Sequence, residues 1–267
     1  MKIAFLGAGN MGTALMLGAV KAKILKPAQI TAFDVNEDAL KTVKKKAGVK
    51  IAGNVQVVVP SADYIFICVK PQQMNGLLTD LKGSVSDTQC LITIAAGVKT
   101  GKIEAAFSPQ RIPVVRVMPN TPALLGEGAS AVCGGKYAKP AHIKFAVKFF
   151  SAVGKAVVLP ESAFDAVTAV SGSGPAYVFY LAEALASAAR AEGLPDAEAR
   201  ILVDQTLLGA AKMLAEGKPP EELRQNVTSP GGTTEAALKH LEAAGWKRIF
   251  EQAVRKARER SDELSKI

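Results

Sequence analysis

Hydrophobic and polar positions follow two different rhythms along this chain. Up to about residue 160, short apolar runs alternate with stretches of helical periodicity. "KIAFLG" (Lys2 to Gly7) predicts a strand, Met11 to Ala22 a helix, "ITAFDV" (Ile30 to Val35) a second strand, and Glu37 to Lys46 a charged helix. "DYIFICVK" (Asp63 to Lys70) and "CLITIAAG" (Cys90 to Gly97) are almost continuously apolar, as expected of central parallel strands covered on both faces, and "RIPVVRVMP" (Arg111 to Pro119) adds another. Strand and helix in alternation predict a doubly wound α/β domain with a mostly parallel sheet. From "ESAFDAVTAV" onward no β-rich run appears. Ser173 to Glu192 and Asp196 to Glu216 read as long helices, separated by a Gly stop and a Pro–Asp restart. The expected division is therefore an α/β domain over residues 1–161 and an all-α domain over 162–267. "YVFYLAEALASAARAEGL" is apolar over more than one face. Such a helix must be buried, against a partner subunit or against its own neighbours.

Composition narrows the classes. No apolar run approaches the ~20 residues of a membrane span, and glycines interrupt the N-terminal apolar stretch, so it reads as a buried first strand rather than a signal peptide. The formal charge of +9 comes largely from Lys41 to Lys46 and the last helical stretch. Neither cluster is interleaved with stacking aromatics, so solvated helix faces are expected, with no nucleic-acid partner and no membrane partner. Three cysteines without paired spacing fit a reducing cytoplasm, and two distant histidines argue against a metal site.

The candidate chemistry begins at "GAGNMG". Gly7, Gly9 and Gly12 have the G-x-G-x-x-G spacing, directly after a predicted strand and opening a predicted helix. In that context Gly7 serves the tight turn, Gly9 lets the backbone approach a pyrophosphate, and Gly12 lets helix and strand pack closely. The helix N-terminus adds N–H groups and the positive end of its dipole. Asp34 ends the second strand, 22 residues after Gly12. A carboxylate there suits the ribose hydroxyls of NAD and repels a 2′-phosphate. NADH is therefore expected to be preferred over NADPH, although Lys41 and Lys44 to Lys46 stand as a counter-argument.

Five stretches, "FLGAGNMGTAL", "CVKPQQM", "RVMPNTPALLGEGAS", "AVSGSGPAYVF" and "LRQNVTSPGGTTEAAL", occur in this order. Together they resemble the pyrroline-5-carboxylate reductases, from end to end of the chain. The resemblance implies reduction of L-Δ1-pyrroline-5-carboxylate to L-proline by NAD(P)H. It also implies a Rossmann domain followed by a helical domain that interlocks with a second subunit, with larger rings of dimers common. Carried onto matching positions, it places Ala8, Gly9, Asn10, Met11 and Gly12 at the pyrophosphate and Asn54 near the adenosine half. Val69, Lys70 and Pro71 lie at a strand end that borders the cofactor, and Ala95 and Ala96 on the nicotinamide side. Met118, Pro119 and Asn120 would border the reacting centre, the competing reading being strand-end packing.

The late stretch "NVTSPGGTTEAAL" contains no ordinary catalytic base. A ketone acceptor would need a proton donor, usually His or Lys. An imine nitrogen can carry its proton before hydride arrives, so the protein has mainly to orient the ring and bind its carboxylate. Val227, Ser229, Gly231, Gly232, Thr233 and Thr234 are the candidate substrate residues: glycines and a helix start for the carboxylate, and the Thr234 hydroxyl, the one catalytic candidate, for the ring nitrogen. The alternative is an ordinary helix start capped by Ser229 or a threonine. "SGSGPAY" (Ser171 to Tyr177) reads as tight helix entry with Pro175 in the first turn. Two rivals are weaker. A β-hydroxyacid dehydrogenase would need a lysine where Val178 stands. A non-catalytic dinucleotide-sensing protein would have no use for the late loop.

Overall fold

Residues 1–266 are described by a computed structural model. Side chains of the first strand alternate between two cores: Ile3 and Phe5 enter one, Ala4 and Leu6 the other. That is the period of two expected of a strand covered on both faces. The strands are β1 (Ile3–Leu6), β2 (Ile30–Phe33), β3 (Lys50–Ile51), β4 (Tyr64–Ile67), β5 (Cys90–Thr93), β6 (Val114–Met118), β7 (Gly128–Gly134) and β8 (Gly154–Val158). They form one sheet in the order β3-β2-β1-β4-β5-β6-β7-β8. Every pairing among the first six is parallel; β7 runs antiparallel to β6, and β8 parallel to β7. The first six strands carry the Rossmann order, whose direction of winding reverses between β1 and β4. Ligands of such sheets bind at the carboxyl ends there.

The helices of this part are α1 (Asn10–Lys21), α2 (Glu37–Ala47), α3 (Val55–Val58), α4 (Met74–Leu81), α5 (Thr100–Ala106), α6 (Pro140–Phe150) and α7 (Phe164–Val167). One core packs apolar residues of α1, α2 and α6 on the sheet, with Phe5 stacked on Phe66 at 4.5 Å and Phe149 beside them. The other takes Val55, Leu78 and Ile103 from α3, α4 and α5.

The remaining helices are α8 (Gly174–Ala191), α9 (Asp196–Ala215), α10 (Pro220–Asn226), α11 (Thr233–Ala243) and α12 (Trp246–Leu264). Two compact units result. One holds Met1–Ser173 together with the chain from Ala257 onward, the other Gly174–Lys256. Residues 161–173 join the sheet-containing unit because Phe164 fills a third small core with Ala131 and Cys133.

The helical unit barely has an interior. No residue of α8 is buried, and α9 buries only Ala199 and Val203. Phe179, Tyr180 and Ile201 are 62%, 75% and 67% exposed. Burying each such side chain is worth about 1.5–3 kcal/mol, so this apolar surface calls for a covering partner. Among the described residues no helix is long and apolar enough to cross a membrane.

Candidate active site

The glycine loop connects β1 to α1, and each glycine has its own physical reason. Gly7 adopts φ +110°, and a Cβ there would lie 2.7 Å from the carbonyl of Cys68. At Gly12 a Cβ would collide with the Gly7 carbonyl oxygen and press on the Cys68 side chain. Gly9 differs: its backbone is in an ordinary extended conformation (φ −65°, ψ −171°), and a Cβ would meet no protein atom within 4 Å. Space is thus kept free above Gly9 for something other than the protein. Gly9 caps α1 without any side-chain bond to the helix start, which leaves first-turn N–H groups for an anion. The residues present fit a dinucleotide pyrophosphate.

Asp34 follows β2 and braces this loop. Its Oδ2 accepts from the Ala8 N–H at 2.6 Å and its Oδ1 from the Asn36 N–H at 2.8 Å. Asn36 in turn caps α2 through the N–H groups of Asp38 and Ala39. The ammonium of Lys41 is engaged by Asp38 at 3.4 Å and Glu37 at 3.8 Å on its own helix. Asn54 caps α3, accepting from the Val57 N–H at 3.0 Å. Gly7, Gly9, Asp34, Asn54, Val69 and Lys70 all line one cleft of about 810 Å³ at the carboxyl edge of β1, β2 and β4. Ala8, Asn10, Met11 and Gly12 belong to the same loop and helix start, and Pro71 follows Lys70 in a short 3₁₀ turn. Ala95 and Ala96 follow β5, the first buried and the second exposed; neither lines this cleft.

At the end of β6, Met118 packs against the backbone of Gly172, where a Cβ would lie 2.6 Å from its Cε. Asn120 is buried and spans two segments: Oδ1 accepts from the Ala129 N–H at 2.8 Å, and Nδ2 donates to the Ser171 carbonyl at 3.1 Å. Ser171 lies in a π turn, Thr168–Gly172. Such turns leave a carbonyl without its usual helical donor, and Asn120 supplies one.

The late loop lies in the helical unit. Gly231 adopts φ +73° and donates its N–H to Glu235 Oε2 at 2.9 Å, while Gly232 donates to the Ser229 carbonyl at 3.0 Å. Thr228 Oγ1 donates to the Arg224 carbonyl at 2.6 Å, and Val227 is exposed. Gly232 is the N-cap of α11, and no hydroxyl caps that helix. Ser229 and the threonines therefore do not serve as the ordinary cap. A Cβ on Gly232 would sit 2.6 Å from Ser229 Oγ and 3.1 Å from the Ser229 carbonyl oxygen, a tight fit for any side chain. The two glycine N–H groups are engaged within the loop. Those of Thr233 and Thr234, in the first turn of α11, have no intrahelical acceptor. Glu235 also pairs with Lys239 at 3.2 Å, which offsets its charge beside the loop. The role of Glu235 escaped sequence reasoning, although a Glu three residues after a cap is a known signal.

Thiol chemistry finds little footing. Burial pushes the Cys68 thiol far up, and those of Cys90 and Cys133 up to about 12, so none is a thiolate near neutrality. His142 is held below its ordinary value by partial burial and then by Lys139, and its Nδ1 accepts from the Lys139 N–H at 3.1 Å. Among the described residues no group of three or more His, Cys, Asp or Glu side chains is placed to hold a metal.

Comparison with known proteins matches the chain in two stretches. Residues 161–264 match the family model for pyrroline-5-carboxylate reductase dimerisation, and residues 2–97 that for NADP oxidoreductase, coenzyme F420-dependent. A pyrroline-5-carboxylate reductase of Methanosarcina acetivorans is 46% identical over 99% of this chain and 98% of its own. The structure of one from Coxiella burnetii superposes with a TM-score of 0.93 at 36% identity, covering 100% of this chain and 99% of that one. The Plasmodium falciparum pyrroline carboxylate reductase, solved with NADP bound, gives 0.86 at 31% identity over 99% and 98% of the two chains. With sequence and fold agreeing over its whole length, the chain belongs to the pyrroline-5-carboxylate reductase family.

Proposed function

We propose that this chain reduces L-Δ1-pyrroline-5-carboxylate to L-proline with a reduced nicotinamide dinucleotide, the last step of proline biosynthesis. The observation that carries the reading of the late loop is the uncapped start of α11, which keeps the Thr233 and Thr234 N–H groups and the Thr234 hydroxyl open to a small ligand. In this proposal those N–H groups hold the substrate carboxylate, and Val227, Ser229, Gly231 and Gly232 shape the loop around it. The Thr234 hydroxyl hydrogen-bonds the ring nitrogen. A bound reduced dinucleotide would supply the hydride for the imine carbon. The nitrogen keeps the proton it already carries, and the products are the ring amine and the oxidised dinucleotide. No strong acid or base is needed for this, in keeping with the makeup of the loop.

Gly9 and the first turn of α1 would take the pyrophosphate, Asn54 would face the adenosine half, and Ala95 and Ala96 the nicotinamide. Met118 would border the reacting centre, with Asn120 setting the strand end from beneath. NADH preference belongs to the same proposal. Two backbone N–H groups fix the Asp34 carboxylate at the cleft, so it cannot readily swing away from a 2′-phosphate. Lys41, the cation best placed in sequence to answer it, is engaged by its own helix. Comparison of kcat/KM with NADH and NADPH tests this, and a clearly higher value with NADPH refutes it. The oligomer is a homodimer through the helices of residues 162–267, consistent with the exposed face of α8. Assembly of dimers into a larger ring, and operation in the cytoplasm, complete the proposal.

A further inference from the structure

The loop between β5 and α5, residues 94–99, leaves the sheet through an Ile94 N–H bond to the Ile67 carbonyl at 3.2 Å and packs Ala95 and Val98 into a core; two further segments distant in sequence hold it from outside. Within itself it has only light ties: the Ala95 N–H reaches Thr93 Oγ1 at 3.2 Å, the Val98 N–H reaches the Ala95 carbonyl at 3.4 Å, and Gly97 bends the chain at φ +75°. The first outside hold is Glu161. Its Oε1 accepts from the Thr100 N–H at 2.8 Å and its Oε2 from the Thr100 hydroxyl at 2.9 Å. Glu161 is itself anchored by Arg116 of β6 at 3.2 Å, a guanidinium only 3% exposed and stacked over the ring of Phe164.

The second hold is the end of α12. A Cβ on Gly97 would lie 3.4 Å from the Leu264 carbonyl oxygen, so loop and helix end are in close contact there. Ser261, 5% exposed, fixes that helix end by donating to Asp165 Oδ1 at 2.7 Å. Asp165 lies one turn beyond Glu161, so both holds converge on the same short segment. Electrostatics agree with the proximity: Asp262 is kept below the usual carboxylate range by Lys266 first, with Lys99 of the loop contributing. None of these groups lines the cofactor cleft.

We propose that Thr100, Glu161 and Ser261 are positioning residues, which brace the β5–α5 loop so that Ala95 and Ala96 form a fixed wall for the nicotinamide ring. The chain that completes the brace arrives only after it has passed through the whole helical unit, since α12 ends in the sheet-containing one. The brace thus makes the nicotinamide wall depend on the far end of the sequence. It rests on the assignment of Ala95 and Ala96 to the nicotinamide side.

Two ligands separate a local brace from general stability. NADH uses the whole site, whereas ADP-ribose lacks the nicotinamide. Thr100→Val removes one hydroxyl at constant shape and leaves the Arg116–Glu161 pair intact; Ser261→Ala removes the other tie. In the double variant the Kd for NADH should rise roughly three- to tenfold, the scale of one or two lost hydrogen bonds, with that for ADP-ribose changed by less than about twofold. Equal changes for both ligands, or none for either, overturn the brace. Ala96→Leu tests the underlying assignment separately: it should weaken NADH and spare ADP-ribose. If Ala96→Leu does not discriminate the two ligands, the nicotinamide assignment fails whatever the brace variants do, and the brace loses its purpose.

Discussion

Replacement of Gly9 by alanine separates the needs of the protein from those of its ligand. The added Cβ has no protein atom within 4 Å, and the backbone there (φ −65°, ψ −171°) is open to any residue. Removing a glycine at such a position stabilises by about 0.4–1 kcal/mol, through the lost freedom of the unfolded chain. For a protein of this size that is a rise in Tm of roughly 1–4 °C, at fixed protein concentration because assembly also contributes. The dinucleotide should suffer instead. Pushing a pyrophosphate off the α1 N-terminus forfeits one charge-assisted hydrogen bond, about 1.5–3 kcal/mol, or roughly 10- to 100-fold in Kd. Thermal unfolding and fluorescence titration with NADH measure the two effects. Gly12→Ala provides the contrast, because its Cβ collides with the Gly7 carbonyl; it should lower Tm as well as affinity. Tight cofactor binding by a stable Gly9→Ala protein would refute the assignment of the free space above Gly9 to a pyrophosphate.

Other consequences concern the late loop, the helical face and pH. Thr234→Ala should lower kcat/KM for the imine by roughly 10- to 100-fold, the cost of one hydrogen bond to a charged group, with cofactor affinity little changed and Thr234→Ser retaining more activity; steady-state kinetics decide. Phe179→Asp with Tyr180→Asp places charges on the exposed face of α8 and should yield monomers of lower Tm. A dimer of unchanged mass by light scattering would contradict the assignment of that face. Folding lowers the pKa of His142, so the folded protein binds protons there less readily than the unfolded chain. Its contribution to stability is therefore full above the ordinary histidine value near ~6.5 and is lost as pH falls toward the folded pKa. His142→Gln, which can keep an acceptor for the Lys139 N–H, should flatten the decline of Tm over that window.

The helices of the second unit and the parallel strands were legible because their periodicity is strong. "KIAFLG" and "DYIFICVK" carry enough apolar residues to cover both faces of a strand, and β1 and β4 lie inside them. Three strands left a weaker trace. β3 is two residues long, β7 is the small-residue run "GASAVCG", and β8 is a largely exposed strand at the sheet edge. None offers a long apolar signal, and their places depend on the neighbours they pair with. In the glycine loop the tight turn at Gly7 and the close helix–strand packing at Gly12 were legible from the spacing, and the protein itself leaves space open above Gly9. What sequence could not supply was partnership across distance. Asn120 joins β7 to the Ser171 carbonyl, and Glu161 joins Arg116 to Thr100. These bonds span from nine to 61 residues and follow no local period. The sequence marked the loop before α11 as a holder of anions. The structure adds that its glycines satisfy the turn itself, and that the Thr233 and Thr234 N–H groups in the first turn of α11 have no intrahelical acceptor.

The central claim is tested most directly by incubating the purified protein with pyrroline-5-carboxylate and a reduced nicotinamide dinucleotide, and following both cofactor absorbance and proline. The account predicts imine-dependent oxidation of the cofactor with one proline formed for each dinucleotide consumed, faster with NADH than with NADPH. A folded dimer that binds dinucleotide yet forms no proline with either cofactor would contradict it.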